Sequence, residues 1–133
     1  KMPKKNRKIR RVVVGNNKDG LSQVIFDSDM PNVHRRPNSP GTFFNEIWTS
    51  NVIPATISLG EDTSPIKGDL RHSPPERGVH WRLVQSSGKQ VVLSDSDARN
   101  SHAKMNKEGV SQLKEGGRHW NMHRTPTVDY GFC

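Results

Sequence analysis

The apolar residues of this chain stand in short runs separated by residues typical of turns, a pattern that predicts β-strands. Residues 12–14 and 21–26 form two such runs. Residues 15–20 between them contain Gly, Asn, Lys and Asp, and Gly, Asn and Asp accept the positive φ angles that hairpin turns need. We therefore expect a β-hairpin over residues 11–26.

Two further strands follow from the same kind of pattern. Residues 43–49, with the sequence FFNEIWT, carry aromatic and β-branched side chains that suit a half-buried sheet surface. We expect residues 51–57 to extend this strand after a turn, with Pro54 favouring an edge position. Apolar and polar positions alternate over residues 79–84, which predicts a strand whose Val79, Trp81 and Leu83 face a core.

The remaining segments predict loops and one helix. Residues 27–41 and 58–78 contain several prolines or glycines, so both are expected to be loops. Residues 90–93 are either a strand or the approach to a helix. The one candidate helix covers residues 97–115, with an N-cap among Ser94, Asp95 and Asp97, and Gly109 interrupts its apolar stripe.

The last residues of the chain bring together side chains that can carry chemistry. Residues 127–132 predict a strand entering a hydrophobic interior. On an extended chain alternate side chains share a face, so His123, Thr125, Thr127 and Asp129 are expected to line one wall of a cavity. Imidazole and carboxylate are ligands that suit zinc, iron, manganese or nickel. They equally suit a general acid/base pair.

Charge is concentrated at the start of the chain. The 133 residues carry 21 Lys+Arg against 13 Asp+Glu, a formal charge of +8. Residues 1–11 hold seven of the cations and no acid, so residues 12–133 hold 14 cations against 13 acids. We therefore divide the chain into a basic N-terminal arm, residues 1–11, and a single small domain, residues 12–133. The arm is either a solvated tail or a phosphate-binding segment; no aromatic residue stands among its cations, so nucleic-acid binding is the weaker hypothesis.

Composition excludes several classes of protein. No apolar run approaches the ~18 residues that a membrane-spanning helix needs. The basic start is followed by only three valines, too few for the apolar region of a secretory signal, so a cytoplasmic location is expected. The one cysteine, Cys133, excludes an internal disulfide framework and a thiolate zinc cluster. The histidines at 34, 72 and 102 stand in polar surroundings and receive no predicted role.

Residues 122–131, MHRTPTVDYG, resemble the first conserved motif of small single-domain cupins of secondary metabolism. Residues 10–15, 43–49 and 74–84 resemble, more loosely, the opening hairpin, the arm strand and the first barrel strand of the same family. The resemblance implies a mainly β, cupin-like barrel (a double-stranded β-helix) that is incomplete at its C-terminus, because the second cupin motif would follow Cys133. Residues 12–133 would then be the N-terminal portion of one cupin-like domain.

The resemblance also implies site residues and a function. His123 matches the first metal-binding histidine, Thr125 stands where the second histidine is usual, and Asp129 replaces a glutamate. His123 and Asp129 are thus expected to be catalytic and to bind a divalent transition metal (Fe, Mn, Zn or Ni), with a metal-free site as the other possibility. Asp129 would be the second ligand or would orient the imidazole.

The implied activity is that of a small-molecule enzyme acting on a polyketide-like or aromatic metabolite in the barrel cavity. Dehydratase, isomerase, decarboxylase and oxygenase types are all open. The alternative is a non-catalytic cupin with a binding or structural role. The family also implies a homodimer formed through N-terminal strands, with the aromatic strand at residues 43–49 as a candidate contact.

Overall fold

The computed structural model describes residues 7–56, 60–62, 69–86, 88, 92–107, 109–119 and 121–133. Within these ranges the chain forms β1 (Arg10–Asn16), β2 (Ser22–Asp29), β3 (Val33–Arg35), β4 (Phe43–Ser50), β5 (Val79–Gln85), α1 (Asp95–Met105), β6 (Gln112–Leu113) and β7 (His123–Arg124). The strands build three small antiparallel sheets, β1–β2, β3–β4–β5 and β6–β7. The mainly β class is therefore confirmed, whereas the described strands do not close into the expected barrel.

The predicted hairpin is confirmed as β1 and β2. Its turn is built on Asn17, whose side-chain Oδ1 accepts hydrogen bonds from the backbone N–H groups of Asp19 and Leu21, both at 2.9 Å. Gly20 follows with a φ of +79°, which a residue with a Cβ rarely adopts. The strands pair antiparallel with a bulge between Val13 and Val14. Local turn chemistry thus sets the register, as the sequence pattern indicated.

Arg11 attaches the hairpin to the rest of the chain. Its side chain is only 4% exposed and pairs with the carboxylate of Asp62, with Nη2 donating to Oδ1 at 3.0 Å. Its Nε donates to the carbonyl of Ile47 on β4 at 2.9 Å. The guanidinium carbon also lies 5.2 Å from the ring centre of Phe26 and 5.9 Å from that of Trp48. These contacts satisfy a buried cation that would otherwise be costly.

The described part of the basic arm is largely paired with acids. Lys8 forms an ion pair with Asp29, and Arg10 pairs with Asp27 through two hydrogen bonds of 2.6 Å. Both acids belong to β2, and Arg10 and Arg11 already belong to β1. Neighbouring carboxylates therefore offset the positive charge of residues 8, 10 and 11, while residues 1–6 lie outside the described ranges. The division into arm and domain stays a prediction.

The sequence assigned residues 27–41 to a loop, which is wrong at residues 27–29, where β2 continues, and at residues 33–35, which form β3. The strand is short, only three residues, and it pairs with the start of β4. A tight reversal makes this possible: Asn38 has a φ of 54°, the Arg36 N–H donates to the Thr42 carbonyl at 3.0 Å, and the Ser39 and Thr42 hydroxyls are 3.1 Å apart. Side-chain hydrogen bonds rather than apolar periodicity create this turn.

Strands β4 and β5 form where they were predicted, but β5 presents the opposite face to the interior. The residues expected in the core are exposed by 48%, 64% and 37%; they are Val79, Trp81 and Leu83. His80 and Arg82 face inward instead, with side chains 6% and 17% exposed. The reason is Glu46 on β4, whose side chain is 2% exposed and takes both as partners. Burying a carboxylate without partners costs more free energy than leaving these apolar side chains exposed.

The segments around these strands differ in part from expectation. Strand β4 ends at Ser50, and residues 51–56 contain no strand, so the predicted extension is wrong over those residues. Residue 57 lies outside the described ranges. Residues 60–62 and 69–78 form neither helix nor strand, as expected of a loop. Residues 90 and 91 lie outside the described ranges, and residues 92–93 form no strand.

Helix α1 has one of the predicted N-cap residues, begins two residues before the predicted start and ends earlier than predicted. Ser94 is its N-cap, with Oγ accepting from the Asp97 N–H at 3.1 Å. The helix ends at Met105, whereas the sequence suggested residue 115. Asn106 causes the stop, because its side chain bonds both the N–H and the carbonyl of Ser111, at 2.8 and 2.7 Å. An asparagine that bonds backbone groups in this way competes with the helix.

The C-terminal segment does not enter a hydrophobic interior. Residues 127–133 form no strand, and the apolar side chains expected there are exposed by 82%, 85% and 95%; they are Val128, Tyr130 and Phe132. The alternation of side chains holds, but the apolar side faces away from the protein. Core burial is instead provided by a small set of residues, namely Met30, Phe43, Phe44, Ala98 and Met105. No helix in the described part of the chain is long and apolar enough to cross a membrane.

Candidate functional site

An open cleft of about 320 Å³ lies between the C-terminal segment and the sheet that contains β4 and β5. The sheet side contributes Phe44, Arg82 and Val84, and the loop before β5 contributes His72 and Pro74. Met105 at the end of α1 and Arg36 after β3 complete this side. The opposite wall consists of alternate residues of the C-terminal segment, namely Asn121, His123, Thr125, Thr127 and Asp129. The cleft thus combines apolar surface with charged and polar groups.

The C-terminal wall has the geometry that side-chain alternation predicted. His123, Thr125, Thr127 and Asp129 all line the same cleft. The Thr127 hydroxyl donates to the Asp129 carboxylate at 3.2 Å, and the Thr125 and Thr127 hydroxyl oxygens are 2.6 Å apart. Since Thr127 has one proton and uses it for Asp129, Thr125 is the donor of the second bond. The two hydroxyls therefore form a directed chain that ends on a carboxylate.

His123 is oriented by the backbone rather than by Asp129. Its Nδ1 lies 2.7 Å from the carbonyl oxygen of Asn121. A carbonyl can only accept, so Nδ1 carries the proton and Nε2 of the neutral ring carries the lone pair. Asp129 forms neither a hydrogen bond nor an ion pair with His123; its hydrogen bond comes from Thr127. The carboxylate–imidazole contact expected from the sequence is therefore not the one that fixes the ring.

Two histidines that the sequence left without a role lie beside His123. The ring centres of His72 and His123 are 4.2 Å apart in an edge-to-face arrangement, and those of His72 and His102 are 4.9 Å apart. Burial, with the nearby His123 and His102, lowers the pKa of His72 to about 4. Burial also lowers the pKa of His102, whose Nε2 bonds the Ser111 hydroxyl at 2.8 Å. His72 is therefore neutral near pH 7.

A buried ionic cluster lies behind the sheet side of the cleft. Arg82 donates from Nε to Oε1 of Glu46 at 2.9 Å and pairs through Nη2 at 2.8 Å, and His80 Nε2 bonds Oε2 of the same carboxylate. Burial alone would raise the pKa of Glu46, but the hydrogen bonds from His80 and Arg82 outweigh burial and leave that pKa below its usual value. Arg82 also donates to the Arg71 carbonyl at 2.6 Å and lies 4.7 Å from the centre of the Phe44 ring. Its position in the cleft lining is thus fixed from several directions.

Sequence reasoning missed the residues on the sheet side of the cleft. A signal was present: Glu46 is an acid between the aromatic residues of its strand, and His80 and Arg82 alternate with apolar residues on the next strand. When charged residues lie on the same face of two neighbouring strands, that face can be buried with the charges paired or can face solvent; the pattern is typical of both. His72 had no such signal, since only the fold brings it to His123.

The predicted metal ligands do not make up a complete metal site. His123 and Asp129 line the same cleft, but Thr125 stands between them with its hydroxyl bonded to Thr127. Among the residues that the structure describes, no group of three or more His, Cys, Asp or Glu side chains could hold a metal ion. Binding of iron, manganese, zinc or nickel therefore stays a prediction, and no chemical step below depends on one.

No protein-family model matches this chain, and neither a curated protein nor a solved structure does. The likeness of residues 122–131 to a cupin motif therefore stays a prediction from the sequence.

Proposed function

We propose that this chain is a cupin-like small-molecule enzyme that transfers a proton to or from a metabolite bound in the cleft. The observation that carries the proposal is the convergence of His123 and Asp129, through alternate positions of one segment, on a cleft of about 320 Å³. That volume is at the lower end of the range found for small-molecule sites. The resemblance of residues 122–131 to the first cupin motif supports the same function.

Proton transfer is the chemistry that the described groups can perform. The Nε2 lone pair of His123 is the base, because Nδ1 donates to the Asn121 carbonyl. The neighbouring His72 is neutral near pH 7, so it adds no positive charge against the imidazolium that forms. Asp129, held by the Thr127 hydroxyl, contributes a negative charge on the same wall. Dehydration, isomerisation and decarboxylation are reactions that a positioned acid and base can promote.

A non-catalytic binding module is the second candidate function. The observation that favours it is the lack of contact between Asp129 and His123, because many histidine bases are activated by a carboxylate bonded to the ring. A binding module would use the same cleft for recognition alone. The homodimer formed through N-terminal strands and the cytoplasmic location stay predictions under either function.

Hydrogen exchange on a bound substrate separates the two candidates. Aromatic and aliphatic keto acids are incubated with the protein in D₂O, and NMR follows deuterium incorporation beside the carbonyl group. We expect incorporation that depends on the protein and falls by about a hundredfold or more in His123→Gln. The control is Lys104→Gln, which changes an exposed residue of α1 outside the cleft lining. Binding of the keto acids without any protein-dependent exchange would support the binding module and contradict the enzyme.

A further inference from the structure

We propose that the cleft binds a small organic acid, with the carboxylate at Arg82 and Arg36 and the apolar body against Phe44 and Met105. The inference rests on the proposed function as far as the cleft is taken to be the binding site, and it adds the chemical class of the ligand. Three features of the lining lead to it: a fixed arginine on β5, a second arginine after β3, and an apolar floor.

Arg82 is built as a recognition group. Its Nε and Nη2 donate to Glu46 and to the Arg71 carbonyl, and its guanidinium carbon lies 4.7 Å from the centre of the Phe44 ring. Nη1 makes no hydrogen bond to any described residue, and Arg82 lines the cleft. A ligand oxygen can therefore accept from Nη1 without displacing the contacts that hold the side chain. Because the side chain is already ordered, binding costs little additional conformational entropy.

Arg36 places a second cation on the cleft. It is partly buried, and its Nη2 donates to the side-chain oxygen of Asn121 on the C-terminal wall. Burial lowers the pKa of Arg36, but an arginine stays protonated in proteins. Two guanidinium groups therefore border one small cleft, and that of Arg82 pairs with Glu46 through its Nε and Nη2 edge. Carboxylates are the ligands that arginine recognises best, together with phosphates, because the donors match the paired oxygens.

One acid also lines the cleft, and its position is compatible with an anionic ligand. Asp129 is exposed, accepts from Thr127 and forms no ion pair with Arg82. It therefore does not neutralise that arginine. The negative end of a ligand is expected at the arginines, whereas a neutral hydroxyl or carbonyl end is expected beside Thr127 and Asp129. Such a polarity would place the reactive end of the ligand on the wall that carries His123.

Apolar side chains also line the cleft, and two of them are buried. Phe44 is 7% exposed and Met105 is 3% exposed, and Pro74 and Val84 border the same cleft. A fully hydrophilic anion such as free phosphate would make no apolar contact with these side chains. An aromatic or short aliphatic body attached to the carboxylate uses both kinds of surface. The lining thus favours an amphipathic carboxylic acid over an inorganic anion.

The first test compares three probes on the unaltered protein by NMR titration at low ionic strength. The probes are benzoate, its neutral isostere benzamide, and phenyl phosphate. We expect benzoate to bind at least about tenfold more tightly than benzamide, since a charge-assisted hydrogen bond replaces a neutral one. Equal binding of benzoate and benzamide would overturn the inference and leave the proposed function standing. Tighter binding of phenyl phosphate than of benzoate would overturn the choice of a carboxylate.

The second test uses variants, with folding checked by thermal unfolding. Arg82→Gln removes one of the two partners of the buried Glu46, so the double variant Arg82→Gln/Glu46→Gln is measured as well. Both are expected to lose benzoate affinity about tenfold or more while benzamide affinity stays unchanged. Arg124→Gln, at an exposed arginine outside the cleft lining, is the matched control and should bind benzoate normally. A folded double variant that binds benzoate like the unaltered protein would contradict the inference.

The outcomes also separate the two proposals. Benzoate binding that depends on Arg82, combined with no deuterium exchange on any keto acid, would retain the organic-acid site and reject the enzyme. Exchange that depends on His123, combined with equal affinity for benzoate and benzamide, would retain the enzyme and reject the organic-acid site. Failure of all three probes and of every keto acid to bind would reject both.

Discussion

Glu46→Gln is expected to destabilise the fold strongly, because the charge that it removes is the centre of a buried cluster. The Glu46 side chain is 2% exposed, and its partners His80 and Arg82 are 6% and 17% exposed. The Gln side chain keeps the shape and one acceptor but leaves Arg82 buried without a counter-charge. Removing one member of a buried ion pair costs about 3 kcal/mol or more. For a chain of 133 residues that loss corresponds to a fall in Tm of about 10 °C.

Acid adds a second signature to the same prediction. The pKa of Glu46 is lowered in the folded protein, so its ionised form stabilises the fold above the unfolded pKa. That contribution disappears as the pH falls through the lower, folded pKa. The stability of the unaltered protein should therefore fall in acid more steeply than that of Glu46→Gln.

Urea unfolding of Glu46→Gln at several pH values measures both effects. Glu76→Gln is the control, since Glu76 is an exposed glutamate and should change stability by no more than about 0.5 kcal/mol. If Glu46→Gln unfolds at the same urea concentration as Glu76→Gln near pH 7, the cluster does not stabilise the fold and the reasoning fails. Parallel pH profiles for the unaltered protein and Glu46→Gln would refute the titration part alone.

Two other perturbations test different parts of the structure. His72→Gln should flatten the dependence of stability on pH between about 6.5 and about 4. In that window the unfolded chain protonates His72, whereas the folded protein, in which the pKa of His72 is about 4, does not, so the unaltered protein loses stability as the pH falls. If the stability of the unaltered protein does not decrease from pH 6.5 to pH 4, this reasoning is contradicted. Gly78→Ala should destabilise the fold by about 2 kcal/mol or more in urea unfolding, because the added Cβ would lie 1.9 Å from the backbone oxygen of Ser50. Gly131→Ala is the control and should leave the stability unchanged, because no atom lies within 4 Å of the added Cβ. Equal stability of the two alanine variants would show that residues 50 and 78 do not approach each other so closely.

The elements that the sequence predicted correctly are those whose cause is local. The β1–β2 hairpin depends on Asn17 and Gly20, which lie in the turn itself, and α1 begins at Ser94 because a serine hydroxyl caps the N–H three residues later. Strands β4 and β5 are visible because their residues have high β-propensity. Each of these signals is contained within a few consecutive residues.

The errors occur where a residue outside the element itself decides. The inward face of β5 is set by Glu46 on another strand, which outweighs the apolar alternation of Val79, Trp81 and Leu83. The early end of α1 is set by the bonds of Asn106 to Ser111. Strand β3 exists only because the chain reverses and offers it β4 as a partner. None of these pairings can be read from the periodicity of a single segment.

One wall of the candidate site was predictable because its cause is also local. Alternation along one segment is enough to bring His123, Thr125, Thr127 and Asp129 to one wall. The opposite wall is assembled from segments far apart in the chain, so His72 and Arg82 could not be assigned to it from their positions. The hydrogen bond that fixes the His123 ring is accepted by a backbone carbonyl. Every residue possesses such a group, so no sequence motif distinguishes it.

The loop before β5 connects the end of the helix to the cleft. The His72 N–H donates to the Met105 carbonyl at 2.6 Å, and the preceding residue supplies the carbonyl that receives Arg82 Nη2 at 2.6 Å. Fraying of the last helical turn would therefore release the peptide that holds the arginine, so substitutions in α1 far from any ligand can alter affinity. The rate at which the His72 amide proton exchanges with solvent should therefore measure how often this hydrogen bond to the end of α1 opens.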